Sequence, residues 1–317
     1  MASGDTLNGK LVVLLGGSGF LGRHVAQDLL ARGARLRIAC RNPEKAFKLK
    51  PLANLGQIQF ARCDVTRPES VKAAMAGADA AAYCVGAFKG DLDALHTRGA
   101  GLAAEAARQA GARSFVLISA IGAGSEAETA YARSKGRGEE AVLAAFPKAS
   151  VLRPSALFGE DDNFINMFAG LIAALPVLPV FGPACELQPL WVDDAAEALG
   201  NALADPARHG GKTYEIAGPE VLTMARLNRM IADAQHRERL FVEVPDALSA
   251  IFAALPGTPM NRDQWTMLKA GNTASGRLPG IKQLGVAPKP LELFLDKWMT
   301  RFRKHWRFGT RIGAVRR

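Results

Sequence analysis

LVVLL-GGSGFLG, residues Leu11 to Gly22, opens the regular structure of the chain. Five apolar residues read as a strand, and a glycine-rich turn then starts a helix. Gly16, Gly19 and Gly22 recur at G-x-x-G-x-x-G spacing. The first glycine permits a tight turn. The second lets the backbone approach a pyrophosphate, and the third lets helix and strand pack closely. Amides freed at the helix start then face an anion, with Ser18, Phe20 and Leu21 in the same turn. Alone, the triplet is a weak signal. Its strand–turn–helix setting makes it a candidate dinucleotide phosphate site, against the alternative of a glycine turn with no ligand.

Around this turn, strands are expected at Leu11–Leu15, Arg35–Cys40, Ile58–Arg62, Ala78–Val85, Phe115–Ser119 and Ser150–Arg153. Helices fit between them at Phe20–Ala31, Leu92–Ala110 and Tyr131–Ala145. This alternation means βαβ units, right-handed crossovers and ligands at the carboxyl ends of the strands. The fold class is therefore α/β: a Rossmann-type, doubly wound parallel sheet with a smaller, mostly helical C-terminal lobe. Further helices are expected at Asn163–Ala174, Asp193–Leu203, from Thr223 to Ala234, and at Asp246–Leu255, with a strand at Thr213–Ala217. The expected division is a nucleotide-binding domain over 1–153, a lobe over 154–290 interleaved with it, and a basic helix and tail over 291–317.

The second strand bears on the cofactor. An NAD site wants an acidic residue about 20 residues past the glycines, to hold the ribose 2′-hydroxyl. Here the region reads Ile38-Ala39-Cys40-Arg41-Asn42, with no acid. A guanidinium at Arg41 can pair with a 2′-phosphate, which favours NADP(H). The alternative is a solvated residue at a strand end. Asp64 and Val65, after the third strand, can meet the adenine, or Asp64 can simply cap a turn. Val85 and Gly86, at the end of the fourth strand, complete this set of candidate cofactor contacts.

Tyr131 and Lys135 lie four apart, on one face of a helix. A nearby ammonium favours phenolate and lowers a phenol pKa, as hydride-transfer acid/base chemistry needs. Ser119, at a strand end, is placed to polarise a carbonyl. The three are candidate catalytic residues. The alternative is that Tyr131 and Lys135 are cofactor contacts alone.

Net charge is +10, but it is uneven. After Asp296 there is no acid, and eight basic residues run from Lys297 to Arg317. The other 32 basic residues against 30 acidic ones leave +2, so the basicity belongs to the tail. A nucleic-acid binder would spread it over the fold. Leu291, Leu295, Trp298, Phe302 and Trp306 make one apolar stripe at helical spacing. With Lys297, Arg301, Arg303, Lys304 and Arg307 beside it, a basic helix over Leu291–Arg307 is expected to dock on an anionic membrane surface. Packing on the protein's own core, or on an acidic partner, is the alternative. The longest apolar run, Met167–Phe181, is broken by Pro176 and Pro179, so no membrane span is expected. The start MASGDTLNGK has no apolar signal-peptide region. Cys40, Cys63, Cys84 and Cys185 form no CxxC, so neither a metal site nor a disulfide is expected.

Taken together, the glycine spacing, Asp64, Ser119 and Tyr131–Lys135 resemble the extended or atypical branch of the short-chain dehydrogenase/reductase superfamily. RPSALFG (Arg153–Gly159) also matches, and in that family Pro154 and Ser155 reach the nicotinamide end. More specifically, Arg153–Ala169, LQPLWVDD (Leu187–Asp194), Ala217-Gly218-Pro219-Glu220, and the late run Trp265-x-x-Leu268-Lys269-x-Gly271-Asn272 resemble the Rossmann-fold accessory subunit of respiratory complex I, the alpha-subcomplex subunit nine family. The resemblance covers nearly the whole chain. It implies a tightly held NADP(H) in a structural role, complex I subunits as partners, and a peripheral place on the cytoplasmic face of a bacterial inner membrane. The intact Ser119/Tyr131/Lys135 set keeps a soluble NADP-dependent reductase, epimerase or dehydratase open as the alternative.

Overall fold

A computed structural model describes residues 6–254 and 262–304. The first half runs β1 (Leu11–Leu15), α1 (Phe20–Ala31), β2 (Arg35–Cys40), β3 (Ile58–Arg62), α2 (Pro68–Met75), β4 (Ala80–Tyr83), α3 (Gly99–Gln109), β5 (Ser114–Ile118), α4 (Ala130–Ala145) and β6 (Ser150–Pro154). The second half adds β7 (Leu157–Phe158), α5 (Phe164–Ala174), β8 (Val177–Phe181), β9 (Glu186–Leu187), β10 (Leu190–Trp191), α6 (Val192–Ala204), α7 (Pro206–His209) and β11 (Thr213–Ile216). It continues with β12 (Leu222–Thr223), α8 (Met224–Ala234), β13 (Leu240–Val244), α9 (Asp246–Ala254), α10 (Arg262–Ala270) and α11 (Glu292–Met299).

Seven strands form one parallel sheet in the order β11-β6-β5-β4-β1-β2-β3. Strand order reverses between β1 and β4, and a crevice opens there at the carboxyl edge. Both sheet faces are covered, so the central strands are continuously apolar rather than alternating. Val12 to Leu15 are fully buried, as are Ala81 and Ala82. Ala81 of β4 meets an alanine-rich face of α3, where Ala100, Ala103, Ala104 and Ala107 are also fully buried. Small side chains on both surfaces let helix and sheet approach closely.

The lobe is interleaved with this sheet. The chain leaves through β6, returns as α6, which packs on α1, and adds β11 at the sheet edge. Its own core gathers Phe158, Ile165, Leu178, Leu227, Ile231 and Trp298. Besides helices it contains short strand pairs: β7 with β10, β9 with β12, and β8 with β13. Strands of two residues leave too little periodicity to be read from sequence.

The expected basic helix over Leu291–Arg307 is corrected by the structure. The α-helix ends at Met299 and passes into a 3-10 turn, Thr300–Phe302. Leu291, Leu295 and Trp298 are buried, and Phe302 packs on the same core. The stripe therefore lies against α5 and α8 and is not available to lipid. It closes on its own lobe because Phe158 and the apolar faces of α5 and α8 need cover. Trp306, Arg307 and the rest of the tail lie outside the described residues. Among the described residues no helix is long and apolar enough to cross a membrane, and no group of His, Cys, Asp and Glu could hold a metal.

Candidate dinucleotide site

The glycine turn has the geometry its sequence implies. Gly16 sits at φ +81°, in the left-handed region that favours glycine. Its amide bonds to Ala39 O at 3.0 Å, tying the turn to β2. A Cβ on Gly22 would lie 2.4 Å from Gly16 O and 2.7 Å from Gly17 Cα, so α1 can approach the turn only with glycine there. A Cβ on Gly19 would lie 3.2 Å from Gly16 O, tight but tolerable. Gly19 caps α1 with no side-chain hydrogen bond, and the first turn of the helix has no acid. The helix start thus offers amides and the positive end of its dipole to an anion. Ser18, Gly19 and Phe20 are at least partly exposed, whereas the Leu21 side chain is in the core.

Val85 lies beside this turn. A Cβ at Gly16 would meet Val85 N at 3.0 Å. The Lys135 ammonium reaches Ile118 O at 3.0 Å and Val85 O at 3.5 Å, and sits near Gly86. Burial lowers its pKa to about 8. The glycine turn, the 85–86 segment and Lys135 therefore meet at one edge of the sheet, at the strand-order switch.

Farther along that edge, a cleft of about 820 Å³ is lined by Arg41, Asn42, Arg62, Asp64, Arg67 and Ser70. Arg41 and Arg62, at the ends of β2 and β3, and Arg67, just before α2, line one space. Arg62 and Arg67 are not among the residues expected from sequence. Their signal is their position just around the end of β3, beside Arg41 at the end of β2. Asp64 caps a turn: Thr66 N and Oγ1 bond to its carboxylate at 3.0 and 2.8 Å. Those bonds hold its pKa below the usual carboxylate value. The Val65 side chain is buried in the core, so only its backbone can face a ligand.

Tyr131 reverses the electrostatic expectation. Its ring stacks on Phe88 with centroids 4.5 Å apart and meets His96 edge-on at 5.5 Å. Lys135 Nζ is 6.0 Å from the ring centroid. Burial dominates, and the phenol pKa is pushed up to about 12. The expected lowering by Lys135 does not occur, because the ammonium is turned to two backbone carbonyls. His96 is buried; it accepts from Ala87 N at 3.0 Å and lies 2.8 Å from Ser134 Oγ. Burial lowers its pKa to about 3, so the ring is neutral and serves to hold the 85–88 segment.

Ser119 is placed differently from its sequence role. Its buried hydroxyl donates to the Glu139 carboxylate, which also takes Arg153 through Nε at 2.8 Å and Nη2 at 2.6 Å. Glu139 continues the Tyr131–Lys135 face by one more helical turn, so its spacing could have flagged it. No hydrogen bond joins Ser119 to Tyr131 among the described residues. Pro154 and Ser155 end β6 near the same edge, but Ser155 Oγ turns to Gln188 O at 2.6 Å.

Four distant motif segments converge here. Gln188 Nε2 donates to Gly218 O at 2.7 Å, and Gln188 Oε1 accepts from Ala274 N at 2.9 Å. Asn272 N bonds to Glu186 O at 2.8 Å, and Asn272 Oδ1 takes Ala156 N. A Cβ on Gly218 would overlap Pro189 O. RPSALFG, LQPLWVDD, AGPE and the Gly271-Asn272 pair are thus one hydrogen-bonded node joining lobe to sheet.

Residues 16–163 match the NAD(P)H-binding family model, and residues 124–277 match the RmlD substrate binding domain. NADH dehydrogenase [ubiquinone] 1 alpha subcomplex subunit 9 of Arabidopsis thaliana is 28% identical over 95% of this chain and 80% of its own length. The chain is thus similar to that subunit over nearly its whole length, and its first half is similar to NAD(P)H-binding proteins. The ceramide reductase of Caulobacter vibrioides is 34% identical over 60% of this chain and 59% of its own length. The NADPH-dependent quinone oxidoreductase of Escherichia coli, solved with NADPH, superposes with TM-score 0.72 at 18% identity, over 90% of this chain and 98% of that one. That likeness is one of fold. These similarities and the site geometry make this chain a nicotinamide-nucleotide-binding protein related to a complex I subunit.

Proposed function

We propose that the chain is an NADP(H)-binding accessory subunit of respiratory complex I that holds its dinucleotide as a structural element without turning it over. The observation that carries this reading is the dispersal of the Ser119/Tyr131/Lys135 set. Ser119 is committed to Glu139, which also holds Arg153, and the half-buried Tyr131 is stacked on Phe88 with its pKa pushed up to about 12. A general acid works best with a pKa near the operating pH.

The residues present fit NADP(H). The pyrophosphate belongs at Gly16–Gly22, on the open start of α1. Lys135, Val85 and Gly86 border the nicotinamide-ribose end, with Pro154 and Ser155 beyond. Arg41, with Arg62 and Arg67 beside it, supplies a cationic cleft for a 2′-phosphate, which NAD lacks. When bound, the group would supply hydride chemistry in an enzyme; here its part is to order the turn, the 85–88 segment and the lobe contact. The subunit then stabilises the junction of the peripheral arm with the membrane, on the cytoplasmic face of a bacterial inner membrane.

A soluble NADP-dependent reductase is the second reading. It is favoured by the survival of Tyr131 and Lys135 on one helix face, and by a relative whose name is ceramide reductase. Tyr131→Phe separates the two. The accessory reading expects unchanged NADH:quinone turnover in membranes. A soluble NADPH-dependent activity in the wild type that collapses in Tyr131→Phe would replace it with the enzyme reading.

A further inference from the structure

Phe88 lies over the tyrosine of the crevice. Its ring stacks on that of Tyr131 with the two planes 21° from parallel, while Phe88 itself is 62% exposed. His96 meets the same tyrosine ring edge-on. Tyr131 is thus gripped by its ring, yet no hydrogen bond engages its hydroxyl among the described residues. The other two tyrosines differ. Tyr83 donates to Leu95 O at 2.5 Å, Tyr214 Oη lies 2.8 Å from His209 Nδ1, and both side chains are buried.

Phe88 rides on a short strap, Gly86-Ala87-Phe88-Lys89-Gly90. Gly90 takes φ +90°, in the left-handed region, and a Cβ there would meet nothing within 4 Å. A glycine at each end lets the strap absorb backbone rotation. Among the described residues one hydrogen bond fastens it, from Ala87 N to His96 Nε2 at 3.0 Å. The other ring nitrogen of His96 lies 2.8 Å from Ser134 Oγ, and Ser134 Oγ donates to Tyr131 O at 2.8 Å. These bonds agree on one neutral tautomer, in which Nδ1–H donates to Ser134 and Nε2 accepts from the strap. The latch therefore ties the strap to the helical turn that carries Tyr131. One ring stack and one hydrogen bond are a light hold, of the kind that local opening breaks.

We propose that residues 86–90 are a lid that Phe88 closes over Tyr131, and that opening it admits a carbonyl compound with an apolar body to the free phenol. A phenol donates to a carbonyl oxygen, and the ring face that Phe88 uncovers takes apolar surface in its place. The inference rests on the non-catalytic reading above, since a closed lid keeps such compounds away from the bound dinucleotide.

The full-length protein is treated with N-acetylimidazole, which acetylates accessible tyrosine hydroxyls, and Tyr131 is followed by peptide mass mapping. Buried Tyr83 and Tyr214 are internal references. Phe88→Ala removes the cover, Phe88→Trp restores a stacking ring, and thermal melting verifies that both variants are folded. Tyr131 should be acetylated about tenfold faster in Phe88→Ala than in the wild type, and Phe88→Trp should return it to the slow rate. Acetophenone should slow the reaction in Phe88→Ala and leave the wild type unchanged. Equal acetylation of wild type and Phe88→Ala would overturn the lid, and acetophenone that fails to protect Phe88→Ala would overturn its ligand. Soluble NADPH-dependent turnover by the wild type would end the accessory reading alone, because the acetylation rates decide the lid by themselves.

Discussion

The Ser119 hydroxyl donates a hydrogen bond to Glu139 Oε1, and the Arg153 guanidinium donates to the same oxygen through Nε and to Oε2 through Nη2. This links β5, α4 and β6 beneath the crevice. Both partners of the ion pair are substantially buried, with side-chain exposures of 8% for Glu139 and 21% for Arg153. Removing one member of a buried pair leaves an uncompensated charge. Glu139→Ala is therefore expected to destabilise the fold by about 2–4 kcal/mol. Ser119→Ala loses one hydrogen bond, and should cost about 1 kcal/mol while leaving dinucleotide affinity intact. Thermal melting and nucleotide titration of both variants check this. A sharp loss of affinity in Ser119→Ala at unchanged stability would return Ser119 to the cofactor site.

The glycine turn separates a binding effect from a packing effect. Gly22→Ala would set a methyl against the backbone of Gly16 and Gly17, and should lower the melting temperature even without nucleotide. Gly19→Ala meets only Gly16 O at 3.2 Å and should fold normally. Its methyl stands where a phosphate must approach, so nucleotide retention should be lost. Purified Gly19→Ala protein that still carries stoichiometric dinucleotide would remove the phosphate from this turn.

The arginine cleft should set the choice between cofactors. Arg41→Ala removes a charge-assisted contact worth on the order of 1.5–3 kcal/mol. NADPH affinity should fall about ten- to a hundredfold, with NADH affinity nearly constant. Arg62→Ala should act in the same direction. Arg67→Ala should act more weakly, because its side chain is 80% exposed and its charge is already shared with Asp64. Equal losses for NADPH and NADH would refute a 2′-phosphate role.

His24 fastens α1 to the lobe and should give stability a pH dependence. Its Nδ1 lies 2.5 Å from Asp193 Oδ1, and its Nε2 is 3.3 Å from Asp161 Oδ1, beside the Arg23–Asp161 pair. Burial pulls its pKa down, but the two carboxylates outweigh it and the net shift is upward. A raised folded-state pKa means stability that is fully present below about pH 6.5, the unfolded value, and lost as pH rises through the folded value. The melting temperature should fall from pH 6 to pH 8 by roughly 1–3 °C, and His24→Gln should abolish the fall. A wild-type curve as flat as that of His24→Gln over this range would exclude the clamp.

How far the sequence can be read follows from signal length. β1, α1, β2 and β3 are bounded in the structure where the sequence puts them; β1 is a continuous apolar block because it is buried on both faces, while β2 and the edge strand β3 keep polar residues among apolar ones. Thr223 caps α8, accepting from Arg226 N as a Ser or Thr at that position should. The Leu92–Ala110 region is harder: its expected single helix contains a π-type turn at Ala94–Arg98, where Tyr83 bonds to Leu95 O. At the site, Arg41 and Lys135 are visible as single residues with known partners. The Glu139–Arg153 pair is not, since the two belong to different elements and only the fold sets them face to face. The α11 stripe shows the same limit. Spacing places Leu291, Leu295, Trp298 and Phe302 on one face, but cannot say whether lipid or Phe158 lies opposite.

Residence in complex I with NADP(H) bound is the proposal on which the functional reading stands. The deciding experiment is to tag the chain in its native cells, extract the membranes with a mild detergent, and resolve the tagged species on a native gel. Nucleotide released from the excised band by denaturation is then identified. The tagged chain should migrate with NADH dehydrogenase activity, in a band that releases one NADP(H) per chain. A chain that runs alone, or a complex I band that contains it but yields NAD(H) or no dinucleotide from it, would refute the proposal.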